Sequence, residues 1–225
     1  MTPSDQSTVA LGISASSREF SIALRFPDGS IQTSDAADAK GASDLAAVVA
    51  EMFDKYDVRP SEMGELRLDL GPGSYTGLRV AVTFARVAAH FREIPVRTTT
   101  SLQLMALAAW NSMTVPADVT IRPVLDARRN RFHHAAVRLS ESARLISEPR
   151  ATELAELFES IQPGETLLAA EPLHATLSKR TSGDDLAIVE PLRFDAGLLF
   201  DSRLALREAN VDDLEPLYLM GSYAE

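Results

Sequence analysis

The chain has 225 residues, with 22 Lys and Arg against 32 Asp and Glu, a formal charge of −10. That balance excludes a surface that grips nucleic acid unaided, because phosphate contacts need a basic face. The absence of cysteine excludes disulfides, thiolate zinc sites, iron–sulfur clusters and cysteine nucleophiles together, while 45% hydrophobic and 24% charged residues describe an ordinary globular chain of one large domain or two small ones.

Residues Met1 to Thr8 lack a basic start and an apolar run, so no signal peptide is expected. No apolar run approaches the roughly 20 residues that span a bilayer. A cytoplasmic protein without membrane contact is the default expectation. Val9–Ile13 reads as a buried strand, and the alternation of Phe20–Phe26 makes it the hairpin partner. Pro27–Asp28–Gly29 is a turn, and Ser30–Ser34 offers a third strand.

From Ser43 to Tyr56 the period becomes helical, with Leu45, Val48, Val49, Met52 and Phe53 on one side. Leu66–Leu70 reads as a strand and Leu78–Phe91 as a helix, with Gly71–Pro72–Gly73–Ser74–Tyr75–Thr76–Gly77 between them. A strand from Ile94 and a helix Ser101–Trp110 follow, so a mixed α/β layer is expected. In the second half, Ile121–Asp126 and Arg131–Arg138 read as paired strands. Thr152–Ile161 is expected to be a helix, Thr166–Ala170 a strand, and Pro172–Arg180 a short helix. Leu186–Val189 is expected to be a strand, Ala196–Ala209 a helix, and Leu214–Met220 an extended tail.

The glycine turn lies between a strand and a helix, where backbone N–H groups and the helix dipole can receive a phosphate. It is not a P-loop, since no Lys follows a glycine, and its third glycine comes one residue late for G-x-G-x-x-G. Gly71, Gly73, Ser74 and Thr76 are the candidates for that role. The competing reading, favoured by the chemistry, is a tight turn with Ser74 or Thr76 as the helix cap.

The helix after the turn carries two apolar stripes, one of Leu78, Val82, Ala85 and Ala89, the other of Val80, Phe84, Val87 and Phe91. A helix apolar on two sides is buried on two sides. Either the rest of this chain or a second protein supplies the second cover. His90, His133, His134 and His174 form no metal motif and read as packed or solvated residues, and no G-x-S-x-G marks a serine nucleophile. Arg128, Arg129 and Arg131 after Asp126 read first as a hairpin tip whose carboxylate bonds the turn, and second as a contact for phosphate or an acidic partner.

The string Gly71–Pro72–Gly73–Ser74–Tyr75–Thr76–Gly77–Leu78–Arg79, the helix after it, Ile94–Pro95–Val96 and Thr100–Ser101–Leu102 resemble the TsaB (YeaZ) family. Leu11–Ser16, Asp126–Arg129 and Glu215–Leu219 extend the resemblance along essentially the whole chain.

It implies an actin-like (sugar kinase/Hsp70-type) fold of two α/β lobes, assigned here to residues 1–105 and 106–225. It also implies a non-catalytic scaffold subunit for N6-threonylcarbamoyladenosine in tRNA. Such a subunit binds a TsaD-like catalytic subunit, is joined by a TsaE-like ATPase, pairs with itself in isolation, and meets tRNA only indirectly. The implied interface comprises Thr76, Leu78, Val82, Ala85, Arg86 and Ala89, with Val49 and Phe53 from the preceding helix.

No catalytic residue, resident metal or intrinsic cofactor is implied, and ATP or ADP is expected only in the complex. One departure is Ser14–Ala15–Ser16, where the family usually carries Asp–Thr–Ser. A serine cannot supply that charge to Mg²⁺, which weighs against independent nucleotide hydrolysis. The alternative is a small actin-like ATPase or kinase that binds nucleotide between its lobes, with Gly71–Gly77 near the phosphates.

Overall fold

Alternation along β1 (Val9–Ser14) sends Val9, Leu11 and Ile13 to one face of a sheet and Ala10, Gly12 and Ser14 to the other. The structure, a computed structural model, describes residues 8–17, 19–34, 44–180, 186–188 and 194–219. The polar start before Thr8, and Ser43, Val189 and Met220 of the expected elements, lie outside the described residues.

The chain divides into two compact units. Unit 1 is Met1–Thr99 with Phe194–Asp201 and Leu206–Pro216; unit 2 is Thr100–Arg193 with Ser202–Ala205 and Leu217–Glu225. The chain thus enters unit 2 after Thr99, ahead of the helix Ser101–Asn111, rather than after residue 105, and late segments return to unit 1.

In unit 1, β1 pairs antiparallel with β2 (Ser21–Arg25), which pairs with β3 (Ile31–Thr33). On its other side β1 runs parallel to β4 (Met63–Asp69), which runs parallel to β5 (Val96–Thr99). One face of this sheet packs Leu11, Ile13, Ile22, Leu24, Leu66, Leu68 and Val96 against two helices, α1 (Leu45–Lys55) and α2 (Tyr75–Arg92). Burying side chains of that size contributes roughly 1.5–3 kcal/mol each.

The opposite face is covered by a short 3₁₀ turn, Ala196–Phe200. Its Ala196 N–H donates to Ser21 Oγ at 3.0 Å and its Leu199 carbonyl accepts from Arg67 at 2.9 Å. The Arg67 guanidinium lies 5.0 Å from the centre of the Phe200 ring.

Unit 2 begins with α3 (Ser101–Asn111) and centres on β6 (Val119–Asp126). Antiparallel β7 (Arg131–His134) pairs with β6, and β10 (Arg150–Glu153) pairs with β7. On the other side β11 (Glu165–Ala169) and β12 (Leu186–Ile188) run parallel to β6. Strands β8 (Val137–Leu139) and β9 (Ala143–Leu145) extend the near end of β6. Both units therefore share the strand order third-second-first-fourth-fifth, with the second strand antiparallel. This is the expected actin-like arrangement.

Three expectations are corrected. The single strand Arg131–Arg138 is two strands, because its partner position in β6 is Pro123, which has no N–H to donate. The residues between them bond elsewhere, with Ala136 N–H donating to Ser147 Oγ. The helix expected from Thr152 starts at Leu154 as α4 (Leu154–Ser160), because Arg150–Glu153 pairs with β7. Ala196–Ala209 is not one helix: Ala196–Phe200 is 3₁₀, and β13 (Arg207–Ala209) pairs antiparallel with β5. Its apolar residues cap a sheet face and then an edge, two jobs that a straight helix cannot do. The short helix in Pro172–Arg180 is α5 (Leu173–Leu177).

Unit 2 is bolted by a buried polar network. Arg122 of β6 makes a two-point contact with Glu165 of β11, at 2.8 and 3.1 Å, and donates to the Ser160 carbonyl. It also donates to His134 Nδ1 at 3.1 Å, which places the imidazole proton on Nε2, facing Thr152 Oγ1 at 2.9 Å. Burial, with the Arg122 charge second, holds His134 down to about 4. Burial likewise holds His133 at about 4, Asp126 opposing and Arg131 assisting.

Both imidazoles are neutral in the fold and charged in the unfolded chain between those values and 6.5. Their contribution is therefore complete above 6.5 and is lost as pH falls toward 4. Trp110, the sole tryptophan of the chain, lies in unit 2 and reports it. Its fluorescence in urea titrations is expected to show a lower unfolding midpoint at about pH 5 than at about pH 7. The His133→Leu variant is expected to flatten part of that slope.

Candidate functional site

β4 ends at Asp69, and the glycine turn leads from it into α2. Three of the turn's N–H groups, those of Gly71, Ser74 and Gly77, are bonded within the chain. Gly71 N–H donates to Asp69 Oδ1 at 3.0 Å, and Ser74 N–H donates to the Ser16 carbonyl at 2.7 Å. Ser74 is the helix cap, its Oγ accepting from Gly77 N–H at 3.3 Å, and its carbonyl accepts from Leu78 N–H.

Two of the glycines are required by contact with the end of β1. A Cβ at Gly73 would stand 2.1 Å from the Ser16 carbonyl oxygen, and one at Gly77 would stand 2.3 Å from that of Ala15. The space against these glycines is filled by the chain's own backbone. Of the four cradle candidates, Gly71 and Ser74 have committed their N–H groups, Gly73 abuts Ser16, and Thr76 is exposed on the first turn of α2. The cap role assigned to Ser74 or Thr76 falls to Ser74.

Beneath the turn lies a residue that sequence reasoning missed. Asp69 is fully buried, and its Oδ2 accepts from Ser14 Oγ at 2.6 Å and from Ser16 Oγ at 3.2 Å. Burial pushes its carboxyl up, against the hydrogen bonds from Ser14, Gly71, Ser16 and Ala15 that pull it down. The carboxylate expected in β1 of this family is absent at Ser14, yet a carboxylate stands beside that hydroxyl from β4. An acid ending an apolar alternation, just ahead of a glycine turn, was the available signal.

The two stripes of α2 separate cleanly. Leu78, Ala81, Val82, Ala85 and Ala89 are buried in unit 1. Val80 and Phe84 are half-buried, while Tyr75, Val87 and Phe91 are 49%, 52% and 79% exposed. Six implied interface residues are thereby corrected: Leu78, Val82, Ala85 and Ala89, with Val49 and Phe53 of α1, belong to the core of unit 1. The physical reason is packing: the sheet face beneath presents Leu11, Ile13, Leu66 and Leu68, which these apolar side chains cover, the alanines letting α2 approach closely.

Thr76 and Arg86 remain on the surface, with Arg86 donating to the Asp212 carbonyl. The outward stripe borders a groove of about 470 Å³ between the helices, lined by Leu45 and Ala46 of α1 and by Tyr75, Thr76, Arg79, Val80, Thr83 and Phe84 of α2. Arg79 is folded over the Tyr75 ring, 5.2 Å from its centre, and donates to its hydroxyl.

Elsewhere, Asp126 Oδ1 accepts from Arg128 N–H at 2.8 Å, the hairpin-tip reading of that segment. Among the described residues no group of three or more His, Asp or Glu side chains is gathered to hold a metal ion. No described helix is long and apolar enough to cross a membrane.

Two mixed sheets of one strand order give an actin-like α/β fold. YeaZ from Pseudomonas aeruginosa superposes with a TM-score of 0.75 at 19% identity, over 94% of this chain and all of that one. A second Pseudomonas aeruginosa structure, described as similar to peptidase YEAZ, gives a TM-score of 0.75 at 18% identity, over 95% of this chain and all of that one.

Residues 35–192 match the family TsaD, described as tRNA N6-adenosine threonylcarbamoyltransferase, and the chain belongs to that family. It is similar to the tRNA threonylcarbamoyladenosine biosynthesis protein TsaB of Bacillus subtilis strain 168, at 32% identity over 85 residues. That stretch covers 38% of this chain and 35% of the Bacillus protein.

The geometry separates packing from surface. Gly73→Ala is expected to cost about 1–3 kcal/mol, read as a fall of roughly 2–12 °C in the melting midpoint. Val82→Glu is expected to unfold unit 1 by burying a lone charge, whereas Phe84→Glu keeps the far-ultraviolet circular dichroism spectrum of the parent.

Proposed function

We propose that the chain is a non-catalytic subunit in the biosynthesis of N6-threonylcarbamoyladenosine in tRNA, docking on a TsaD-like catalytic subunit through the outward face of α2. The observation that carries this reading is the outward stripe of Val80, Phe84, Val87 and Phe91 beside an open groove, in a chain of the TsaD family. Exposed aromatic and aliphatic residues along one helix face are the kind of surface that a partner covers.

In this reading the same face pairs two copies when the partner is absent, and a TsaE-like ATPase joins the assembly in the cytoplasm. The acidic chain leaves tRNA to the catalytic subunit, consistent with a formal charge of −10. ATP or ADP is bound only in the complex. The commitment of the Gly71 and Ser74 N–H groups, and the β1 backbone against Gly73 and Gly77, support that assignment over a small ATPase whose turn cradles phosphate.

Size-exclusion chromatography with light scattering tests the reading, using the protein alone and with the TsaD-like chain of its own genome. A stable complex is expected, and Phe84→Glu and Val87→Glu are each expected to weaken it by about tenfold or more with the fold intact. A strict monomer that ignores the TsaD-like chain overturns the proposal. Calorimetry with ATP and Mg²⁺ on the isolated chain is expected to give no heat; micromolar binding with turnover would instead establish the ATPase.

A further inference from the structure

We propose that Asp69 is a positioning residue: its carboxylate locks the end of β1 to the glycine turn and so sets the first turn of α2, from which Tyr75, Thr76 and Arg79 project. The inference rests on the docking role given to α2 above. Asp69 is fully exposed to the cost of burying a charge, since it is 0% solvent-accessible. What surrounds it is a set of hydrogen-bond donors: the Ser14 and Ser16 hydroxyls and the N–H groups of Gly71 and Ala15.

These donors come from two places only, the end of β1 and the entry to the turn. β1 and β4 run parallel with Ile13 opposite Leu68, so Ser14 and Asp69 are the next positions along the pair. The carboxylate therefore ties residues 14–16 to residue 71.

From there the linkage is continuous. Ser16, held by Asp69 through its hydroxyl, accepts the Ser74 N–H through its carbonyl at 2.7 Å, and Ser74 is the cap of α2. The Ser16 and Ala15 carbonyls are also the atoms that Gly73 and Gly77 admit at close range. Move the end of β1 and the cap, the turn and the first turn of the helix move with it. An apolar residue at position 69 would avoid the desolvation cost, but it would leave both hydroxyls and the Gly71 N–H without their acceptor.

The test compares Asp69→Ala, Asp69→Asn and Ser16→Ala in the full chain, with Phe84→Glu as the control for docking. Affinity for the TsaD-like chain is read alongside amide hydrogen exchange. Asp69→Ala is expected to lower affinity by about tenfold and to speed exchange at Gly71 and Ser74–Leu78 while α1 keeps its protection. Asparagine keeps one acceptor for Gly71 N–H, and the serine hydroxyls can turn to accept from its amide. It is therefore expected to hold affinity within about threefold of the parent. Ser16→Ala removes a single bond and keeps the fold, so it supplies the same local exchange pattern, at smaller amplitude, should Asp69→Ala fail to fold.

A rise in exchange spread evenly through unit 1 overturns the positioning role and leaves Asp69 an ordinary stabilising residue. Binding lost with Phe84→Glu but kept with Asp69→Ala overturns the positioning role alone. Binding kept with both overturns the docking reading, and the positioning role with it.

Discussion

The organisation of unit 1 depends on one close approach, the backbone at the end of β1 lying against the glycine turn after β4. Carbonyl oxygens of Ala15 and Ser16 occupy the room that side chains at Gly77 and Gly73 would need, and Ser16 also accepts the N–H of the helix cap. On the β4 side, buried Asp69 accepts from Ser14 Oγ and Gly71 N–H and ties the end of β1 to the turn. The same contact has a chemical consequence. A glycine turn ahead of a helix is a potential anion site only while its N–H groups are free, and here the N–H groups of Gly71, Ser74 and Gly77 are bonded to the protein's own oxygens.

With its N-terminus fixed in this way, α2 presents two unlike stripes. Small residues, Ala81, Ala85 and Ala89, lie on a sheet face built of large ones, while Phe84 packs at the edge of the core and Val87 and Phe91 are exposed. Packing density accounts for the alanines, which let the helix approach the Leu and Ile side chains of the sheet closely where Leu78 and Val82 fill the remaining space.

Sequence periodicity revealed both stripes but not their sense, because 3.6-residue spacing is the same for a face that packs on a sheet and one that packs on a partner. The residue sizes held the answer, and only the volume of the opposing sheet makes them readable. Strands of the hairpin and the parallel pair were legible from alternation and apolar runs, within a residue or two of Val9–Ser14, Ser21–Arg25 and Glu165–Ala169. Ala196–Phe200 was not, since its apolar spacing imitates a helix while its job is to cap the polar face around Gly12 and Arg67. Asp69 was invisible for a further reason: a lone acid acquires meaning only when its hydrogen-bond donors, 53 and 55 residues away in the chain, are brought to it.

The two units repeat one strand order, and each bridges its first and fourth strands with a polar contact, but at opposite ends. In unit 1 the bridge is Ser14 to Asp69, where both strands finish and the helix-bearing turn begins. In unit 2 it is Arg122 to Glu165, where β11 starts, and it reaches His134 and the Ser160 carbonyl instead of a turn. The turn that follows β11 runs through Ala170, Glu171 and Pro172 without glycine, and the helix after it, α5, has five residues against eighteen in α2. A polar bridge at the start of a strand ties the sheet to the element before it, here the end of α4. One at the end of a strand reaches the next element. The same architectural position thus meets the end of α4 in one unit and the entry to a long helix in the other.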